Sequence, residues 1–221
     1  MNYAKKSLGQ NFLIDKNITN KIVNLETIFG RHVVEIGPGK GALTVEILKK
    51  KPKSLTLIEK DFDLFNELKL RYSNDKNIKI FNSDILKFDM KKIKEKNLII
   101  FGNLPYNISS QIHVKILKYC KGPQGISDII FMFQKELADK IIGIFPSKSY
   151  GRLSILTNYR LKFIKKFSVS PNCFFPKPKI ISTVLHFKSK RNLSYNLKKI
   201  ENLEKITNIF FSNKRKMINK T

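Results

Sequence analysis

Short apolar runs alternate with amphipathic segments along most of the chain. Apolar runs bounded by turn residues are typical of buried strands, and apolar positions three or four residues apart are typical of helices. This pattern predicts strands over 32–36, 54–58, 78–81, 98–101 and 129–133, and helices over 42–50, 61–72, 109–119 and 137–144. Repeated strand–helix alternation implies an α/β fold with a mostly parallel sheet covered on both faces.

The last third of the chain adds two β-like runs and then changes in character. The runs over 161–167 and 184–187 flank a proline-rich loop and bring the predicted sheet to seven strands. Beyond them the sequence becomes polar and basic, and 197–211 has helical periodicity. We therefore predict a main α/β domain over 1–190 and the beginning of a small helical C-terminal region over 191–221.

The charge balance narrows the class of partner. Lysine and arginine number 43 against 17 acidic residues, a formal charge of +26 that favours a polyanionic partner. The codon bias of an AT-rich genome is the alternative source of so many lysines. The two cysteines, Cys120 and Cys173, lie too far apart in sequence to suggest a disulfide scaffold or a zinc knuckle. No apolar run approaches the roughly 20 residues of a membrane span, and no secretory signal is present, so we expect a cytoplasmic protein.

A glycine-rich motif follows the first predicted strand. Residues 35–42 read Glu-Ile-Gly-Pro-Gly-Lys-Gly-Ala, and Gly37 and Gly39 allow a ligand to approach the backbone at a helix N-terminus. Glu59 ends the next strand, where a carboxylate can accept hydrogen bonds from both hydroxyls of a ribose. These features predict adenosine binding and leave open whether the ligand is a dinucleotide or S-adenosylmethionine.

Asp84 and Ile85 follow the third predicted strand. Asp84 can accept from the amino group of an adenine and Ile85 can pack on the ring, although a helix-capping role for Asp84 is equally open.

The sequence Asn-Leu-Pro-Tyr follows the fourth predicted strand at 103–106. Pro105 restricts its own φ and holds Leu104 extended, which can aim the Asn103 side-chain oxygen and the Leu104 carbonyl at one small target. Two acceptors in one place suit an amino group, and Tyr106 supplies an aromatic face for a planar base. A dehydrogenase has no need of this arrangement.

Together these motifs resemble those of the ribosomal RNA adenine dimethyltransferases, the family of the KsgA (RsmA) and Erm enzymes. Further matching segments are Gly-Gln-Asn-Phe-Leu at 9–13, Phe-Gln-Lys-Glu at 133–136, Ser-Tyr-Gly-Arg-Leu-Ser at 149–154 and Phe-Phe-Pro-Lys-Pro-Lys-Ile-Ile-Ser at 174–182. The details are more similar to KsgA, whose members dimethylate two adjacent adenosines near the 3′ end of 16S rRNA. The resemblance implies a Rossmann-like, S-adenosylmethionine-dependent methyltransferase that acts as a monomer without a metal.

The resemblance also assigns the site residues. It implies that Asn103, Leu104, Tyr106 and Phe174 are catalytic, with Tyr106 and Phe174 on opposite faces of the adenine. It places the cofactor among Asn11, Leu13, Gly37, Gly39, Glu59, Asp84, Ile85 and Asn103. The candidates for RNA contact are basic residues, namely Lys5, Lys6, Arg152, Lys177, Lys179 and Arg215, whereas His32, His113 and His186 are interpreted as structural.

The sequence leaves rival interpretations open. Erm-type modification of 23S rRNA is one, methylation of protein glutamine or DNA adenine is another, and a non-catalytic ribosome assembly factor is a third. Taken alone, the glycines are also compatible with an NAD-binding enzyme. Family members continue well beyond Lys216, so the resemblance implies that the helical C-terminal region is truncated.

Overall fold

The computed structural model describes residues 4–5, 8–120, 124–191 and 200–212. The strands are β1 (Phe12–Leu13), β2 (His32–Ile36), β3 (Ser54–Glu59), β4 (Ile78–Asn82), β5 (Leu98–Asn103), β6 (Ile126–Gln134), β7 (Leu161–Val169), β8 (Phe174–Phe175) and β9 (Ser182–Ser189). The helices are α1 (Lys16–Val23), α2 (Ala42–Lys49), α3 (Phe62–Arg71), α4 (Ser109–Leu117), α5 (Lys135–Ile141), α6 (Arg152–Arg160) and α7 (Ile200–Ser212).

Seven strands form the central sheet in the order β4-β3-β2-β5-β6-β9-β7. The pairs among β2 to β6 are parallel, and β9 runs antiparallel to both of its neighbours. The predicted seven-stranded, mostly parallel sheet is therefore confirmed. The chain goes from β2 outward through β3 to β4 and then returns to place β5 on the other side of β2. Open α/β sheets bind ligands at such a reversal, beyond the carboxyl ends of the strands.

Helices cover both faces of the sheet. One core cluster includes apolar residues of α1, α2 and α3, and the other includes residues of α4, α5, α6 and α7. The middle strands read as continuous apolar runs because both of their faces are buried; Val34, Ile100 and Phe131, for example, have no appreciable exposure.

The hydrophobic pattern did not predict helices α1 and α6, and it gave the wrong ends for α5. Helix α1 begins after Asp15, whose carboxylate accepts from the backbone N–H groups of Asn17 and Ile18. The predicted helix over 137–144 is α5, which begins directly after β6 and ends at Ile141. Helix α6 begins within the 149–154 motif and continues to Arg160, where the pattern predicted no helix.

Helix α7 packs on the main domain. Its Glu204 pairs with Arg152 at 2.7 Å, and Ile200 is buried in the core cluster shared by α4, α5 and α6. The aromatic rings of Tyr150 and Phe211 lie 6.2 Å apart. The described part of the predicted C-terminal region therefore shares a core with the α/β domain. The division at 190–191 stays a prediction, and the predicted start of this helix at 197 lies outside the described residues.

Among the described helices, none combines the length and the apolar character that a membrane crossing would require.

Candidate active site

A cavity opens at the reversal between β2 and β5, where the carboxyl ends of the parallel strands meet. Ten of the eleven predicted site residues line it: Asn11, Leu13, Gly37, Gly39, Glu59, Asp84, Ile85, Asn103, Leu104 and Tyr106. The sheet brings these residues together because each of four parallel strands ends at this edge of the sheet. The N-terminal segment supplies the remaining wall.

The glycine-rich loop between β2 and α2 has a backbone conformation that favours glycine at two positions. Gly37 and Gly39 have φ values of 65° and 58°, in the left-handed region that favours glycine. A Cβ on Gly39 would lie only 3.1 Å from the Phe12 ring, so that position also requires glycine for space. The ammonium of Lys40 lies 5.1 Å from the centre of the same ring. The loop and the N-terminal segment thus form one wall of the cavity.

Glu59 is a buried carboxylate that organises the loops around it. Its two oxygens accept from the backbone N–H of Gly39 at 3.0 Å and of Asp61 at 2.8 Å. Burial raises the pKa of Glu59, and these two hydrogen bonds offset only part of that effect. Each oxygen retains a lone pair that can accept from a ligand hydroxyl.

Asp84 closes the turn after β4 as well as lining the cavity. One oxygen accepts from the Leu86 N–H at 2.9 Å, and the other lies 3.0 Å from the Lys60 ammonium. Burial acts to raise the pKa of Asp84, but the Leu86 and Lys60 interactions outweigh it and hold the pKa below its usual value. The turn places the adjacent Ile85 in the core at the cavity wall.

The side chain of Asn103 is oriented by the N-terminal segment. Its Nδ2 donates to the backbone carbonyl of Asn11 at 2.9 Å. An amide whose nitrogen is used in this way presents its Oδ1 as the free acceptor. The orientation of the predicted acceptor at Asn103 therefore depends on Asn11, which lies 92 residues away in sequence.

Tyr106 is held at the cavity by a residue from the far side of the sheet. Its hydroxyl lies 2.6 Å from the Oγ of Ser182, the first residue of β9. Burial raises the pKa of Tyr106, with the Ser182 hydrogen bond as a smaller opposing effect. The sequence had offered Ser182 only as the end of a matching segment, without a role.

The predicted position of Phe174 requires correction. The residue is 3% exposed, pairs with Leu13 across the β1–β8 ladder and belongs to the core cluster under α1 and α2, not to the cavity lining. Alternation along β8 points its neighbour Phe175 the other way, and Phe175 is 60% exposed. In this arrangement the Phe174 ring supports β1 from below and does not form a face of the cavity.

Two of the candidate RNA-contacting residues are engaged within the protein. Lys5 bonds to Asp61 at 2.9 Å and Asp63 at 2.8 Å, which secures the N-terminal segment over the cavity. Arg152 pairs with Glu204 of α7. Lys177 and Lys179 are exposed in the loop before β9. Lys6 and Arg215 lie outside the described residues.

The three histidines have polar partners. His32 lies 2.7 Å from the Ser54 hydroxyl, and the buried His113 lies 2.8 Å from that of Thr157. Burial lowers the pKa of His113 to about 3, so its ring is neutral at physiological pH.

His186 packs with Asp128 and Glu26, and the ligand atoms of these three residues lie within 4.8 Å of one another. The Lys188 ammonium, 2.7 Å from Glu26, supplies positive charge to this cluster.

Glu35 is a cavity residue that sequence reasoning quoted without giving it a role. It is 1% exposed and accepts from the Thr44 hydroxyl at 2.7 Å. Burial raises its pKa to about 8; the hydrogen bond opposes this shift and the charge of Glu59 adds to it. The sequence signal that could have identified Glu35 is an acidic residue within an otherwise apolar strand.

Glu35 is expected to make the protein less stable as the pH rises. Because its folded pKa lies above its unfolded value, the folded state holds the extra proton, and stability falls between about pH 4.5 and pH 8 by up to about 1.4 kcal/mol per pH unit. In thermal unfolding without ligand, Glu35→Gln should gain several degrees relative to the unmodified protein between pH 5 and pH 8. The exposed Glu136→Gln is the control, and a Glu35→Gln difference that is the same at both pH values would contradict this account.

Lys115 joins helix α4 to the turn that carries Asp84. Its ammonium, on α4, donates to the backbone carbonyls of Leu86 at 2.9 Å and Phe88 at 2.7 Å. Helix α4 itself follows the Asn103–Tyr106 segment. One side chain thus fixes the turn that carries Asp84 relative to the helix that begins after Tyr106.

Lys115→Met is expected to weaken the binding of an adenosine-containing ligand about tenfold. The substitution keeps the apolar stem but leaves two carbonyls without their donor, at a cost of about 1–3 kcal/mol. Calorimetric titration with S-adenosylhomocysteine measures the effect. Lys118→Met is the control, since Lys118 lies at the end of the same helix and pairs with Glu201 and Glu204 instead. Equal affinities for the two variants would refute the positioning role.

The fold and the site define a class before any comparison is made. The protein has the features of a Rossmann-like methyltransferase. These are a mostly parallel seven-stranded sheet, a glycine-rich loop beside a carboxylate that can accept from ribose hydroxyls, and an Asn-Leu-Pro-Tyr segment at the end of the neighbouring strand. The family model described as ribosomal RNA adenine dimethylase matches residues 1–221. This chain belongs to that family.

Individual relatives agree. A protein of Pelagibacter ubique (strain HTCC1062) named ribosomal RNA small subunit methyltransferase A is 50% identical over 217 residues, which are 98% of this chain and 82% of that protein. A solved dimethyladenosine transferase of Plasmodium falciparum superimposes with a TM-score of 0.79 at 29% identity, over 95% of this chain and 74% of that one. The 23S rRNA methyltransferase ErmE gives a TM-score of 0.71 at 25% identity, over 92% of this chain and 80% of that one.

Proposed function

We propose that this protein transfers methyl groups from S-adenosylmethionine to the 6-amino groups of two adjacent adenosines near the 3′ end of 16S rRNA. The product is dimethyladenosine, and the setting is the assembly of the small ribosomal subunit in the cytoplasm. The observation that carries this proposal is the orientation of Asn103, whose Nδ2 is bonded to Asn11 and whose Oδ1 is left to accept from an amine. The family and the relative from Pelagibacter ubique support the choice of RNA.

The cavity fits the cofactor in its donor set. The left-handed Gly37 and Gly39 leave the backbone open to a ligand, and the Glu59 carboxylate suits a pair of ribose hydroxyls. Asp84 and Ile85 offer an acceptor and an apolar face for an adenine. When bound, S-adenosylmethionine supplies an electrophilic methyl group on a sulfonium.

The chemical task of the protein is to make a poor nucleophile react. The lone pair of the adenine amine is delocalised into the ring. We infer that Asn103 Oδ1 and the Leu104 carbonyl accept hydrogen bonds from its two N–H groups and turn the lone pair toward the methyl group. Bound S-adenosylmethionine would supply the methyl group and keep the electrons of the broken C–S bond on its sulfur, and the methylated nitrogen would release a proton to water. Positioning and electrostatics supply the rate enhancement.

A second round uses the same groups on a monomethylated amine, which has one proton left for either acceptor. Tyr106 provides a stacking face for the adenine, which must leave its stack in the RNA to reach the cavity. The Ser182 hydrogen bond fixes the plane of that ring.

The proposal is tested by offering the protein each of the two ribosomal subunits as a methyl acceptor. Small and large subunits lacking the modification are incubated separately with the protein and S-adenosylmethionine carrying a labelled methyl group. We expect label in the small subunit only. Label in the large subunit would instead indicate an Erm-type activity. Binding to the small subunit without any transfer would indicate a non-catalytic assembly factor.

A further inference from the structure

The edge strand β7 carries an exposed basic surface that the site described above does not use. Its residues from Lys162 to Lys166 are all exposed, and three of these five are lysines: Lys162, Lys165 and Lys166. Within the described ranges, none of the three has a carboxylate within ion-pair distance. The register with β9 places Lys162 and Lys165 on one face of this edge strand and Lys166 on the other. We call these three side chains the β7 lysines.

The sequence around this strand is depleted of negative charge. Between Asp139 and Glu201 there is no acidic residue at all, so no acid near in sequence neutralises the strand. The neighbouring basic residue Lys188 is already occupied by Glu26. The β7 lysines therefore form an exposed positive surface without ion-pair partners among the described residues, which favours a polyanion.

Apolar and aromatic groups are interleaved with this charge. Phe163 and Ile164 are 39% and 41% exposed, and a register shift between Phe163 and Lys165 interrupts the ladder with β9. Lys21 of α1 lies over the Phe167 ring at 4.3 Å. Basic groups mixed with exposed aromatic rings are typical of surfaces that bind single-stranded RNA.

The strand leads to the substrate side of the cavity. Val169, at its end, is paired with Ser182, and Ser182 holds the hydroxyl of Tyr106. At about 3.3 Å per residue, Lys166 lies roughly 10 Å before that end and Lys162 roughly 23 Å before it. An RNA strand that delivers an adenosine to Tyr106 has its flanking phosphates within reach of this path.

We propose that the β7 lysines bind the phosphates of the RNA strand that flanks the methylated adenosines. This inference rests on the proposed function, because it names the track by which the same substrate approaches the same site. Such contacts hold the RNA in register without reading its sequence. The competing explanation is that lysines and a bulge merely protect an open sheet edge from pairing with another chain.

The test compares two triple variants of equal charge. Lys162→Gln, Lys165→Gln and Lys166→Gln are combined in one protein. The control combines Lys91→Gln, Lys94→Gln and Lys96→Gln, three exposed lysines in the segment leading to β5. The probe is a 16S rRNA fragment that contains the two adjacent adenosines, and its Kd is measured over a series of salt concentrations for both variants and the unmodified protein.

The β7 variant should bind the fragment roughly ten- to a hundredfold more weakly, with the slope of log Kd against log salt reduced by about 2. The control should stay close to the unmodified protein, and both should bind S-adenosylhomocysteine normally. An unchanged Kd and an unchanged slope for the β7 variant would overturn the proposal. If that variant also self-associates, the lysines protect the sheet edge instead. Methylation of small subunits by the unmodified protein is scored separately: its absence would refute the proposed function, whereas its presence with unchanged binding of the fragment by the β7 variant would refute only the β7 track.

Discussion

Replacing Asn103 with alanine is expected to lower the rate of methyl transfer about 10²–10³-fold, the cost typical of removing one preorganised polar group from a reacting centre. The side chain touches the substrate amine through Oδ1 in our account, so the loss should appear in kcat. The Kd for S-adenosylhomocysteine should change much less, since Glu59 and Asp84 are untouched. Single-turnover methylation and calorimetric titration measure the two quantities.

Two further variants sharpen the Asn103 experiment. Asn158→Ala removes an exposed asparagine from α6 and should be neutral. Asn103→Asp keeps an acceptor but loses the Nδ2 donor that orients the group against Asn11, so it should fall between alanine and asparagine. Transfer by Asn103→Ala at the unmodified rate would remove the basis of the proposed chemistry.

Replacing Glu59 with alanine is expected to weaken cofactor binding roughly a hundredfold or more. The carboxylate would accept from two ribose hydroxyls while it holds the backbone of Gly39 and Asp61, and hydrogen bonds to charged groups contribute about 1.5–3 kcal/mol each. The measurement is the Kd for S-adenosylhomocysteine, with thermal unfolding to show that the variant folds.

Glu59→Gln separates the two roles of that carboxylate. It keeps one oxygen acceptor and should lose less affinity than Glu59→Ala. Glu95→Ala is the control, because Glu95 pairs with Lys79 away from the cavity. If Glu59→Ala bound the cofactor as tightly as Glu95→Ala, the ribose assignment would be wrong.

Much of the fold follows from local sequence signals. Strands buried on both faces read as apolar runs, and the turn residues between runs mark their ends, so β2, β3, β5 and β6 were predictable. The edge strand β4 was predictable from its apolar residues although none of them is fully buried. The glycines and Glu59 were predictable as a site because the carboxyl ends of adjacent parallel strands meet. Helix α1 was missed because its signal, a capping aspartate before a short amphipathic turn, is weak in isolation.

The remaining parts of the site depend on contacts between distant segments. Nothing local to Asn103 shows that Asn11 orients its amide, or that Ser182 holds Tyr106. The same limitation explains Phe174: in a two-residue strand, either of two adjacent phenylalanines can face the core, and only the pairing of β8 with β1 decides which one does.

The central claim is that this cavity methylates the 6-amino group of adenine, and the identity of the modified nucleoside tests it most directly. Small subunits lacking the modification are treated with the protein and S-adenosylmethionine, and their 16S rRNA is digested and analysed by mass spectrometry, with Asn103→Ala in parallel. The account predicts dimethyladenosine at two adjacent positions near the 3′ end for the unmodified protein, and almost none for the variant. A methyl group on any other nucleoside, or equal yields from both proteins, would contradict it.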